Sequence, residues 1–311
     1  MPCYRPLDGY RSRELNPATG KRSIVFNARE GLYDMPVTLP CGQCIGCRLE
    51  RSRQWAIRCI HEASLHDQNC FITLTYNNDH LPKDGSLHVK HFQDFMKRLR
   101  HHAADPDSEL YPNIVTSDGL VRFFHCGEYG EKFARPHYHA CLFGIDFSDR
   151  YMWKKVNGFP LYTSSTLEKI WPFGFSTIGD VTFESAAYVA RYITKKITGK
   201  NAESHYDGRK PEYTTMSRRP GLGKMWLDKF STDIYPGDFV VVRDKKMKPP
   251  KFYDRQFEIT DPQLFRAVKS SRRVRGRLAG PLDGSQRMLV REEVQQLKFK
   301  KLIRGYEKHE T

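Results

Sequence analysis

His137 and His139 stand one residue apart in Pro136-His137-Tyr138-His139-Ala140-Cys141-Leu142-Phe143-Gly144, an apolar run introduced by proline. Along a β-strand residues i and i+2 share a face, so both imidazoles point one way and can chelate one divalent ion. Downstream, Tyr188 and Tyr192 have the i,i+4 spacing of neighbours on a helix and can both address that ion. A cation beside two phenolic hydroxyls suits in-line attack on a phosphodiester. Tyrosine is a weak nucleophile at its free pKa of about 10, and a metal offsets the charge that develops on phosphate oxygen. Twelve histidines occur in the chain, so the pair gains its weight only from its context.

That context is a set of elements able to position these groups. Residues 122–127 read as a strand, and Gly130 and Pro136 mark a hairpin connection over 129–136. Pairing of the two strands sets Glu128 across from His137 and completes a His-His-carboxylate site. Such N/O donors, with no thiolate, suit Mn²⁺ or Mg²⁺. In residues 184–197 the small and apolar positions 186, 190, 193 and 197 form one helical stripe. At about 100° per residue, Tyr188, Tyr192 and Lys195 cluster on the other side, so this register does not require the tyrosines as core. The competing expectations are histidines on a solvated strand face, with Glu128 closing a turn, and tyrosine rings packed against another element.

The remaining elements follow from periodicity. A helical pattern over 48–66 carries Trp55, Cys59, Ile60 and Ala63 on one face. Phe71-Ile72-Thr73-Leu74-Thr75-Tyr76 is β-branched and alternating, a strand. Val89, Phe92, Met96, Leu99 and Ala103 mark an amphipathic helix, a short helix spans Ser165 to just before Pro172, and 175–181 is a strand. The order β-α-β-β-α-β with one helix appended predicts an α+β fold with a ferredoxin-like antiparallel sheet, the split βαβ arrangement.

Eight cysteines are unevenly distributed. Cys59, Cys70, Cys126 and Cys141 are scattered and read as small buried hydrophobes of a reducing compartment. Cys41-Gly42-Gln43-Cys44-Ile45-Gly46-Cys47 reads as metal ligands in a Gly-rich loop, and Cys3 offers a fourth thiolate for a tetrahedral structural Zn²⁺ site. An iron–sulfur run would want its next cysteine at position 51, which is Arg51. Residues 1–50 are otherwise turn-rich.

Fifty-one Lys+Arg against 36 Asp+Glu give a net charge of +15, which favours a polyanionic partner, nucleic acid foremost. Residues 264–311 hold 13 basic and 5 acidic side chains, +8 of that surplus, and read as a sequence-neutral DNA contact or a solvated helix. Met216-Ser217-Arg218-Arg219-Pro220-Gly221-Leu222-Gly223-Lys224-Met225-Trp226 is a basic, broken loop. Arg218, Arg219 and Lys224 suit a backbone grip, and Trp226 suits base stacking; an ordinary solvated turn is the rival reading. No G-x-x-x-x-G-K-[ST] run, apolar leader or membrane-length stretch is present, so the expectation is a soluble intracellular protein without an ATP motor. Three regions are expected: a Cys-rich module with its helix over 1–66, a nuclease-like core over 67–200, and a basic region over 201–311.

The ordered set resembles the HUH endonucleases, enzymes that start rolling-circle replication. Phe71 to Tyr76 resembles the family's first motif, Arg135-Pro136-His137-Tyr138-His139 its metal-binding motif, and Tyr188-Val189-Ala190-Arg191-Tyr192-Ile193-Thr194-Lys195-Lys196 its two-tyrosine motif with trailing lysine. Met1-Pro2-Cys3, the 40–55 segment, Gly127-Glu128-Tyr129-Gly130 and the 216–221 loop extend the similarity to replication initiation proteins of gokushoviruses, small single-stranded DNA phages of the microvirus family. The resemblance implies nicking and rejoining of origin and single-stranded DNA through a 5′-phosphotyrosine, leaving a free 3′-OH primer. Tyr188 and Tyr192 would be nucleophiles, with Lys195 neutralising phosphate or assisting the leaving oxygen. His137, His139 and Glu128 would hold Mg²⁺ or Mn²⁺, and Cys3, Cys41, Cys44 and Cys47 structural Zn²⁺. Host replication helicase and polymerase are the implied partners, in the cytoplasm of the bacterial host. The alternatives are a non-enzymatic zinc-containing ssDNA-binding or packaging protein and an HUH transposase or relaxase. A relaxase generally has three histidines and an amino-proximal tyrosine, and a transposase generally has a single tyrosine.

Overall fold

Strands β1 (Leu7–Leu15), β2 (Arg22–Val25) and β3 (Gly31–Leu39) form an antiparallel sheet of order β2-β1-β3 where a turn-rich segment is expected. Their side chains are mostly exposed, so the alternation that betrays a half-buried strand is missing. Pro36 fits because β3 is an edge strand, and the β1–β3 register shifts beside its partner Tyr10. A computed structural model describes residues 3–18, 20–130, 133–156, 158–197, 199, 202–278 and 284–301, with backbone alone at 192–195.

Helix α1 (Ile45–Ala63) leads to β4 (Asn69–Tyr76), α2 (Val89–Ala104) and the short β5 (Ile114–Thr116). The hairpin β6 (Arg122–Tyr129) and β7 (Pro136–Phe143) follows, then β8 (Ile145–Phe147), β9 (Tyr151–Val156), β10 (Phe159–Thr163), α3 (Ser165–Ile170), β11 (Gly174–Gly179) and α4 (Phe183–Lys195). Beyond these come α5 (Ala202–Tyr206), β12 (Tyr213–Met216), α6 (Lys224–Ile234), the hairpin β13 (Val240–Val242) and β14 (Lys245–Met247), α7 (Lys251–Thr260), α8 (Pro262–Leu278) and α9 (Ser285–Lys300).

The described residues fall into two compact units: the segment through Arg51 with α9, and Ser52–Leu278. The second is α+β, around a seven-stranded antiparallel sheet of order β12-β6-β7-β4-β11-β10-β9. Strands β4 and β6 run parallel with β7 between them, and α2 lies between β4 and β6 in the chain. Edge strand β12 and the β9–β10 hairpin extend this sheet beyond the strands that periodicity marks. One face of the sheet packs Ile72, Leu74, Tyr138 and Leu142 against Phe92, Phe95 and Leu99 of α2 and Leu167 and Ile170 of α3. The other packs Phe71, Phe124, Cys126, Cys141 and Phe143 against Ala186, Val189 and Ala190 of α4 and Ala56 and Cys59 of α1. A third cluster joins Leu227 and Ile234 to Tyr253, Phe257, Phe265 and Val268. Thr182 and Ser185 form a reciprocal capping box that fixes where α4 starts, just after β11.

Candidate active site and cysteine cluster

Register on β7 places the histidines. His137 lies opposite Glu128 of β6 and Thr75 of β4; His139 lies opposite Cys126 and Thr73. Direct partners share a sheet face, so Glu128, His137, His139, Thr73 and Thr75 face the α4 side. Glu128 is buried, and its Oε1 meets His137 Nε2 at 2.7 Å and His139 Nε2 at 2.8 Å. The far nitrogens are also held: His137 Nδ1 lies 3.0 Å from the Arg135 carbonyl and His139 Nδ1 3.0 Å from Thr73 Oγ1.

These contacts fix an electrostatic problem. A carbonyl only accepts, so His137 Nδ1 donates to Arg135, and the neutral ring then presents the Nε2 lone pair to a carboxylate oxygen. Two such lone-pair bearers cannot rest at 2.7 Å unless a proton or a cation lies between them. Burial alone would raise the Glu128 carboxyl pKa; imidazoles that carry the proton and donate Nε2–H to Oε1 outweigh it and hold the group down at about 2. A proton therefore fills that gap in one state, and a cation can fill it in the other. The site is thus a buried anion facing two nitrogens whose outer atoms are already oriented, the arrangement a metal-ligating histidine needs. All three ligand atoms lie within 4.8 Å of one another. Cis ligands of an octahedral ion at about 2.1 Å stand about 3 Å apart, so this donor set fits a small divalent cation.

Tyr188 sits directly beside the triad. Its ring meets His139 edge-on at a 5.0 Å centroid distance and Phe71 at 6.2 Å, with the Arg191 guanidinium 5.8 Å from its centre. At 2 % exposure it belongs to the apolar cluster beneath α4. The expectation that Tyr188 is not core is therefore corrected. Helix α4 is enclosed on more than its small-residue stripe, because the ring must fill the space between Phe71 and His139. Tyr192 and Lys195 lie on α4, and their side chains fall outside the described residues.

The 216–226 loop divides in two. Arg218 and Arg219 are exposed, while the loop is anchored from below: Arg122 Nη2 donates to the Pro220 carbonyl at 2.7 Å, Arg58 Nε to the Leu222 carbonyl at 3.0 Å, and the Gly223 N–H to Glu62. Lys224 pairs with Asp228 on α6. Trp226 stacks on His61 with centroids 3.5 Å apart and packs near Phe230 and Tyr253. The base-stacking expectation for Trp226 is corrected, since that face is already taken by His61. In α8, Arg272 and Arg275 are engaged by Asp238, and Arg272 also by Asp254, so part of the carboxy-terminal charge serves packing.

In the first unit Cys3, Cys41, Cys44 and Cys47 bring four sulfurs within 4.8 Å of one another. Cys44 Sγ lies 3.9 Å from Cys3 Sγ, close to the roughly 3.8 Å between sulfurs 2.3 Å from one tetrahedral ion. Backbone N–H groups of Tyr4, Cys41, Gln43 and Cys44 point at the sulfurs from 3.2 to 3.4 Å. Desolvation works against ionising Cys41, yet the N–H groups of Cys44 and Gln43 lower its pKa to about 7. The cluster can bind a metal such as zinc.

Sequence reasoning missed Thr73, the outer partner of His139. Its signal was present in the Thr73-Leu74-Thr75 alternation, which sets a hydroxyl on the histidine face.

Residues 69–197 match the family described as "Replication-associated protein ORF2/G2P". The replication-associated protein VP4 of Bdellovibrio phage phiMH2K is 32 % identical over 273 residues, covering 85 % of this chain and 79 % of that protein. ORF2 of Spiroplasma virus 4 is 32 % identical over 276 residues (83 % and 81 %), and ORF4 of Chlamydia phage 1 is 33 % identical over 190 residues (59 % and 45 %). No solved structure matches the chain significantly. The chain belongs to the replication-associated proteins of small, microvirus-type phages, and a role in phage replication follows. No described helix is long and apolar enough to cross a membrane.

Proposed function

We propose that the chain nicks and rejoins single-stranded and origin DNA by tyrosine transesterification, as the initiator of rolling-circle replication. The observation that carries this reading is the convergence of Glu128, His137 and His139 on one point beside Tyr188. The order β11-β4-β7-β6, with β4 and β6 parallel about β7, supports a ferredoxin-like, split βαβ core of the HUH type. Mg²⁺ or Mn²⁺ held by Glu128, His137 and His139 would supply charge neutralisation at a non-bridging oxygen of the scissile phosphate. The four cysteines would hold structural Zn²⁺.

The chain's residues perform the exchange. A tyrosine on α4 loses its hydroxyl proton as its Oη bonds to phosphorus; the P–O3′ bond breaks and the 3′-oxygen takes up a proton. One phosphoester replaces another, so rejoining needs no ATP. Two tyrosines one helical turn apart let one hold the old 5′ end while the other cuts the next unit. Lys195 follows Tyr192 by three positions, on the same side of the helix, and would offset phosphate charge. Exposed Arg218 and Arg219 would grip backbone phosphates. Origin DNA, host helicase and polymerase are the proposed partners, in the cytoplasm of the bacterial host.

The test is the covalent product. Incubated with origin ssDNA and Mn²⁺, the protein should yield a nucleotide-bearing peptide from residues 183–197 by mass spectrometry. Tyr188→Phe and Tyr192→Phe should each retain some cleavage of a short oligonucleotide and fail the full cut-and-rejoin cycle, and the double variant should give no adduct. An adduct elsewhere, or none with wild-type protein, overturns the reading in favour of a DNA-binding protein.

A further inference from the structure

One sheet row runs Glu128, His137, Thr75, Phe175 across β6, β7, β4 and β11, each residue directly opposite the next. Register partners share a face, so Phe175 stands on the same face as the carboxylate–imidazole cluster, two strands from His137. At about 4.8 Å per strand this is about 10 Å, the length of about three stacked nucleotides or fewer extended ones. Phe175 is 66 % exposed. Helix α4 covers the β12, β6 and β7 side of this face. Over β4 and β11 the floor opens progressively: Phe71 and Gly179 are buried, Thr73 and Thr177 half-buried, and then Thr75 and exposed Phe175 follow. Arg135 closes the open end, its guanidinium 2.9 Å from the Tyr76 carbonyl and also bonded to Asn78.

Other strand aromatics, Tyr33, Tyr151 and Trp153, are also exposed, and what sets Phe175 apart is its place in one row with His137 and Glu128. The composition of the slot fits one occupant. Threonine hydroxyls and a guanidinium suit a phosphodiester backbone, and an exposed flat ring suits an unpaired base, stacking being tolerant of sequence. Strand β4 is paired on both sides along this stretch, so the floor beside His137 offers no open edge to a peptide strand. We propose that Phe175 is a base-stacking positioning residue, and that Thr75, Thr177 and Arg135 line the groove along which single-stranded DNA reaches His137. The inference rests on the nicking reading for its substrate and reads a separate observable.

The experiment uses full-length protein and a single-stranded oligonucleotide carrying 2-aminopurine at one position at a time, without divalent metal, so that no cleavage occurs. Wild type should change the fluorescence of the probe most at one position. Phe175→Ala should abolish the change there alone and weaken binding about five- to hundredfold, while Phe175→Tyr restores both. Exposure of the ring means that the alanine variant keeps its fold, which a melting curve checks. An unchanged position profile in Phe175→Ala, or a change spread evenly over all positions in wild type, overturns the proposal. Failure of the nicking reading shows separately, as an intact fluorescence profile with no covalent adduct once metal is added.

Discussion

The two clusters of potential ligands occupy units built on opposite plans. The cysteine cluster sits in a unit whose strands are largely exposed, and none of its described residues enters the three apolar clusters, which draw on residues from Ala56 to Val268. The histidine–carboxylate cluster sits on a seven-stranded sheet packed on both faces. A small unit without a core must be stapled, and Cys44 and Tyr4, among its few buried side chains, are at the cluster itself. A sheet with two filled faces has no such need and can hold a polar site whose role is chemical. On the proposed function, the same ligand logic would serve stability in one place and reactivity in the other.

The largest effect separating them is expected at the cysteines. Structural zinc contributes an apparent 10–16 kcal/mol, roughly, in small zinc domains. Purified protein should contain one zinc equivalent, and strong chelation or Cys41→Ser should expose the amides of β1–β3 to hydrogen exchange. Amides of β4, β6 and β7 should stay protected. Equal protection of β1–β3 in metal-free, reduced protein would break the comparison.

What was legible in the sequence follows the same division. Helix α2 alternates between buried and open faces and β4 carries a β-branched alternation, so periodicity marks them. Strands β6 and β7 are buried on both faces and show only as an apolar run with turn signals, from which Glu128 could be set opposite His137. Strands β1–β3 bury too little for any period to show. Tyr188 was misplaced because helical geometry gives the angle between side chains, while the depth of the cover over a helix is set by distant Phe71 and His139. Trp226 was misread for a related reason, since its stacking partner, His61, is 165 positions away.

A smaller effect tests how the sheet unit holds without metal. Fully buried Glu62 pairs with Arg122 and accepts the Gly223 N–H, tying α1 to β6 and the 217–223 loop. Arg122→Leu strands that carboxylate and should cost about 3–5 kcal/mol. Desolvation pushes the Glu62 pKa up, yet His66, the Gly223 N–H and Arg122 bring it below its ordinary 4.5. A group with a depressed native pKa contributes stability above its ordinary value and loses it as pH falls through the native one. Urea midpoints of wild type should therefore drop below about pH 4.5, and Glu62→Gln should flatten that drop. An unchanged acid slope in Glu62→Gln would assign the acid sensitivity to other carboxylates.

The smallest stability effect belongs to the histidines, and there stability and activity should part. His139→Ala removes one of the two nitrogens facing Glu128 and leaves His137 at 2.7 Å. The carboxylate keeps a partner, so the loss should be about 1–3 kcal/mol, the penalty of an under-satisfied buried group and well short of unfolding. Binding to ssDNA should persist, because phosphate contacts from Lys and Arg supply most of it. Nicking should vanish. Manganese supplies a readout apart from catalysis: at a hundred times its dissociation constant it should stabilise wild type by about 2.7 kcal/mol. His139→Ala should lose that increment, and a cysteine variant should keep it in the transition of the sheet unit. If His139→Ala keeps both the manganese increment and the nicking, Glu128, His137 and His139 are a hydrogen-bonded brace between β6 and β7, and the contrast between the two clusters collapses into two kinds of staple.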